Sequence, residues 1–86
     1  MAGNPLPPAG SGLFETKWSG AVGADATLQA ATRRITIGVG GALVVVANGG
    51  NITIPAAIAT SGAKLDIRIT GLVASGSAAH TIFCEY

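Results

Sequence analysis

Charge is scarce in this chain: 10% of its 86 residues are Asp, Glu, Lys or Arg, where an ordinary soluble domain carries about 25%. Five basic and four acidic residues leave a formal charge of +1. Basic groups this few and this scattered build no phosphate-binding surface, so no nucleic-acid partner is expected. The single cysteine, Cys84, allows no internal disulfide, and the covalent staples of many small domains are missing. One histidine, His80, and four aromatics, Phe14, Trp18, Phe83 and Tyr86, leave little material for a catalytic or sugar-stacking site. Long apolar runs are absent too. The longest stretch without a polar side chain, Gly38 to Ala47, is half of the ~20 residues a spanning helix needs, and no membrane partner is expected. The opening Met-Ala-Gly-Asn-Pro-Leu-Pro-Pro carries neither the basic nor the apolar segment of a secretory leader, which points to synthesis in the cytoplasm.

What is present is small and β-forming: 49% hydrophobic residues, 13 glycines and 16 alanines. The length allows one domain. Pro5, Pro7 and Pro8 followed by Ala9-Gly10-Ser11-Gly12 define residues 1–12 as an extended arm with polyproline character. Residues 13–86 then form a single all-β domain. Phe14, Thr16 and Trp18 alternate with Glu15, Lys17 and Ser19, a period that puts the aromatics on one face of a strand and Glu15 and Lys17 outward. Asp25 to Ala31 fits either a short helix capped by Asp25 or a strand, and the short connection to the next strand favours the strand. Arg33 to Val39 alternates, with Ile35, Ile37 and Val39 inward. Ala42 to Ala47 is a continuous β-branched run, expected to be the most buried segment. Asn48-Gly49-Gly50-Asn51 reads as the turn of a hairpin whose second strand runs to Ile54, and Pro55 ends that strand or marks an edge. Leu65, Ile67 and Ile69 alternate with Lys64, Asp66, Arg68 and Thr70 in an amphipathic strand. A short strand at Leu72 to Ala74 and a last one from about Ala79 complete the pattern. Six or seven short strands with these turn spacings predict a small antiparallel β-sandwich or barrel.

No constellation carries a chemistry. The glycines at 38, 40 and 41 fail the dinucleotide fingerprint, because position 43 is Leu and Val44 to Val46 continues a strand where a helix should open. His80, Ile82, Cys84 and Tyr86 share a strand face, but His80 and Cys84 then lie about 13 Å apart, too far for a dyad. One cysteine, one histidine and four separated carboxylates offer no paired metal spacing. Neither cofactor, metal nor catalytic residues are expected. Arg33 and Arg34 point to opposite faces, and one of them is expected to pair with Asp25 or Asp66.

The outward positions are distinctive instead. Thr36, Thr53, Thr70 and Thr81 stand where Lys and Glu usually protect a sheet, a composition that permits close approach of another subunit. A core this small, without disulfides, gains stability by burying surface between chains, so a homo-oligomer is expected. The arm, with apolar Leu6, Leu13 and Phe14 and a backbone already restricted by proline, suits docking on a neighbour.

The arm Pro5 to Gly12, the Ala/Gly/Thr/Val-rich strands such as Arg34 to Val39 and Ala42 to Ala47, and the shortage of charge together resemble the small all-β decoration (cement) proteins of tailed-bacteriophage heads. The resemblance is one of composition and brings no site residues with it. It implies a structural virion protein on the capsid exterior, with trimers favoured and the major capsid protein or another virion protein as partner. Leu6, Pro7, Pro8, Leu13, Phe14 and Trp18 are then the expected docking residues, with Trp18 as the anchor. The alternative is a carbohydrate-binding or adhesion module in which Trp18 or Tyr86 stacks on sugar.

Overall fold

In the computed structural model, residues 14–86 are described. The arm, residues 1–12, and Leu13 lie outside the described residues, and with them the docking roles expected of Leu6, Pro7, Pro8 and Leu13. Among the described residues there are eight strands and no helix: β1 (Phe14–Lys17), β2 (Ala26–Thr27), β3 (Arg34–Val39), β4 (Leu43–Ala47), β5 (Gly50–Ile54), β6 (Lys64–Leu65), β7 (Gly71–Val73) and β8 (His80–Glu85). They form two antiparallel four-stranded sheets, ordered β1-β8-β3-β6 and β2-β7-β4-β5. The arrangement is sandwich-like. The count is eight rather than the expected six or seven, with β2 and β6 pairing over two residues each.

The alternation read from the sequence sorts the two faces. Ile35 and Ile37 of β3 pair with Cys84 and Ile82 of β8, and all four are fully buried. Opposite them, Leu43 and Val45 of β4, Ile54 of β5 and Leu72 of β7 close the same apolar cluster. Val39, expected inward, is exposed, because it is the terminal residue of β3. The hairpin forms as expected: Asn48 and Gly49 both have positive φ, 52° and 76°, the two-residue turn whose twist matches the flanking strands. Ala26–Thr27 is strand, which settles the open choice in that region.

The β1 faces are inverted relative to the expectation. Glu15 stands opposite Cys84 and Lys17 opposite Ile82, so both charged residues lie on the inner face at its margin, while Phe14 and Thr16 point out. Trp18 then adopts φ 52°, which reverses the alternation and turns the indole into the core. Its carbonyl accepts the Thr81 N–H at 2.7 Å. Thr81 is itself at φ 57°, a costly conformation for a β-branched residue. Gly38 makes room for it, since a Cβ there would stand 2.6 Å from the Thr81 carbonyl oxygen.

Among the described residues, six of the connections pass between the sheets, and two of them are paired with each other. Residues 28–33 pass from β2 to β3, and residues 66–70 return from β6 to β7, so the expected strand at 64–70 keeps its alternation but leaves its sheet after Leu65. These two crossings run side by side. The Leu28 N–H donates to the Thr70 carbonyl at 2.9 Å and the Thr32 N–H to the Ile69 carbonyl at 3.0 Å. The Thr32 hydroxyl donates to the Ile67 carbonyl at 2.8 Å and accepts the Ile69 N–H at 3.0 Å. Among the described residues it is the one buried polar side chain. Thr32→Val keeps the shape and leaves two buried backbone groups unpaired, which costs about 2–3 kcal/mol. Urea unfolding followed by Trp18 fluorescence measures it. Thr32→Ser, which keeps the hydroxyl, loses about 1 kcal/mol, and equal losses in both variants would contradict the staple.

Candidate functional site

Of the docking residues expected from the sequence, two are described, and the fold separates them. Phe14 is 56% exposed and stacks on Phe83 across the outer face of the first sheet, ring centroids 5.8 Å apart. Trp18 is 9% exposed, and its indole N–H donates to the Ala24 carbonyl at 2.9 Å. It belongs to the core of its own subunit, which corrects its assignment as the anchor. Tyr86 is fully buried as well. Neither ring suggested for sugar stacking is therefore presented to solvent.

The titratable residues are occupied structurally. The Tyr86 hydroxyl donates to Glu15 at 2.6 Å, and Lys17 pairs with the other carboxylate oxygen at 3.1 Å. Burial raises the Glu15 carboxyl, but the Tyr86 and Lys17 contacts outweigh it and hold the group below its ordinary value. This contribution to stability is present above the unfolded carboxyl's range and is lost as pH falls through the folded value. Arg34 pairs with Asp66 at 2.7 Å, as the sequence suggested, and Arg33 with Glu85 at 3.3 Å. The His80 ring bonds the Thr81 hydroxyl at 3.0 Å, while Cys84 lies beside Glu15 and Tyr86. Among the described residues no three His, Cys, Asp or Glu side chains gather as metal ligands.

The open feature is a groove of about 580 Å³ between the β4–β5 hairpin and the returning crossing. From the second sheet it takes Val45, Ala47, Ile52 and Ile54; from the turn after β5, Pro55 and Ile58; from the other wall, Leu65, Ile67 and Ile69. Arg68 is the one charged residue of the lining. Ile52 and Ile58 are 48% and 55% exposed, a concentration of open apolar surface that marks a contact site. β5 borders it as an edge strand, paired among the described residues with β4 alone. Sequence reasoning anticipated an edge near Pro55 but missed the groove. The available signal was Ile58, an isoleucine in a segment without strand periodicity.

The fold and groove thus define a small all-β protein with an open apolar groove. Compared with family models, curated proteins and solved structures, the chain finds no match.

Cys84 is fully buried, and burial, then the Glu15 charge, pushes its thiol up to about 11. A thiolate is needed for attack. Native protein at pH 8 is therefore expected to leave a thiol-specific disulfide reagent unreacted, with one equivalent released on unfolding; rapid reaction of the folded chain would contradict this burial.

Proposed function

We propose that this chain is a non-enzymatic structural protein that self-associates and binds a repeating protein surface, of the capsid-decoration kind that its composition resembles. The observation that carries the reading is the apolar groove beside β5. A groove lined by aliphatic side chains offers few directional groups to a small polar ligand and suits the side chains of another protein chain. Covering the exposed halves of Ile52 and Ile58 is worth about 1 kcal/mol each. One such contact is weak. Repeated around a symmetric assembly, many of them act together, because after the first the others form at high effective concentration.

The charge distribution supports the same reading. Arg34 with Asp66 and Arg33 with Glu85 form mutually neutralising pairs, and surface ion pairs of this kind add little stability by themselves. What they leave is a surface without strong single-sign fields, on which copies can meet without like-charge repulsion. In a virion the role is mechanical: the protein adds buried area across the boundaries of capsid subunits and so resists their separation under internal pressure.

Static light scattering on the full-length chain over a dilution series tests the reading. The expected result is a symmetric oligomer that persists at low micromolar concentration. A folded monomer at every concentration would remove the self-association on which the proposal depends.

A further inference from the structure

We infer that β5 is the seam between two copies of this chain, joined strand to strand about a two-fold axis at Ile52. The inference deepens the proposed function and rests on its claim of self-association. The first argument compares the four sheet edges. Folded sheets protect their edges by keeping them short, by turning charges inward, or by covering them. β2 and β6 are two residues long, and β6 carries Lys64. β1 carries Glu15 and Lys17 on its inner face. Among the described residues β5 has none of these devices: Gly50–Ile54 is five residues long, without charge or proline, and its first four residues are exposed.

The second argument is backbone geometry. The residues flanking a two-residue turn, Ala47 and Gly50, exchange both ladder hydrogen bonds, and every second pair does so thereafter. Val45 with Ile52 and Leu43 with Ile54 are the next such pairs in the register. The N–H and C=O groups of Asn51 and Thr53 therefore point away from β4, to the open side. These two residues are symmetric about Ile52. An antiparallel second copy places Asn51 of one strand opposite Thr53 of the other, twice, forming four backbone hydrogen bonds across the axis. The two Ile52 residues face each other as a pair without ladder bonds, with Cα atoms about 4.5 Å apart.

The third argument is the groove. Ile52 pairs with the inward-facing Val45, so its side chain lies on the groove side of β5. Joining two β5 strands brings both Ile52 side chains together and continues the apolar lining from one copy into the next. The second sheet becomes eight strands across the axis. Such an interface is isologous and closes on itself. It gives even-numbered assemblies and so departs from the trimer implied by the capsid-decoration resemblance.

The test combines three variants of the full-length chain. In Ile52→Cys, the paired Cα distance fits a disulfide, and mild oxidation is expected to convert most of the protein to a linked pair. Tryptic mapping should join the peptide of residues 35–64 to its own copy, distinct from the peptide holding Cys84. Thr53→Pro deletes an N–H on the open side without touching a β4 bond. It is expected to halve the mass measured by light scattering while Trp18 fluorescence stays native. Should that variant fail to fold, Ile52→Lys places a charge at the axis and is expected to separate the copies likewise. A trimer, or an even-numbered oligomer in which Ile52→Cys stays unlinked and both edge variants keep their mass, would overturn the β5 seam and leave the assembly reading standing. A monomeric wild type would overturn both and leave β5 open to a strand of a different protein.

Discussion

Two side-by-side crossings between the sheets are stapled by one buried hydroxyl beside their two backbone hydrogen bonds, and the arrangement of that end of the sandwich depends on the contact. Thr32 sits where residues 28–33 and 66–70 run past each other, and its hydroxyl serves both as donor to Ile67 and as acceptor from Ile69. The backbone in a crossing has left its ladder and must satisfy its polar groups elsewhere. Here a buried hydroxyl of one crossing satisfies the backbone of the other. Without it, the Ile67 carbonyl and the Ile69 N–H would lose their partner, and the alignment of the two crossings would weaken.

The same constraint opens the contact site. Because residues 66–70 leave the first sheet after only two residues of β6, nothing of that sheet extends beneath the whole length of β5. The second sheet continues regardless, carried by the hairpin at Asn48-Gly49. The mismatch leaves Ile52 and Ile58 half-exposed over a wall of Leu65, Ile67 and Ile69. A small core with few large side chains cannot close this gap from within, whereas a second chain can. In the proposed assembly, stability and association are linked, as expected where a short chain has no disulfide to draw on.

Local chemistry made much of the fold legible. The Asn48-Gly49 turn, the alternation of Arg34 to Ile37 and the common strand face of Ile82 and Cys84 depend on neighbours in sequence, and the structure keeps them. The faces of β1 run opposite to the alternation, and Trp18 reaches the core because its positive φ reverses the pattern there, which no side-chain sequence announces. Glu15 and Lys17 were placed outward by polarity, yet they lie on the inner margin because Tyr86, 71 residues away, provides a hydroxyl there. The groove was hidden for a similar reason. Its two walls come from residues 45–58 and 65–69, each ordinary as a local pattern, and they become a site only once the crossing brings them face to face.

Amide hydrogen exchange of the full-length protein, read residue by residue by heteronuclear NMR, tests most directly whether this open end is the working surface. The account predicts slow exchange at Asn51 and Thr53, whose N–H groups point to the open side of β5. Exchange at both as fast as at exposed loop amides would contradict it.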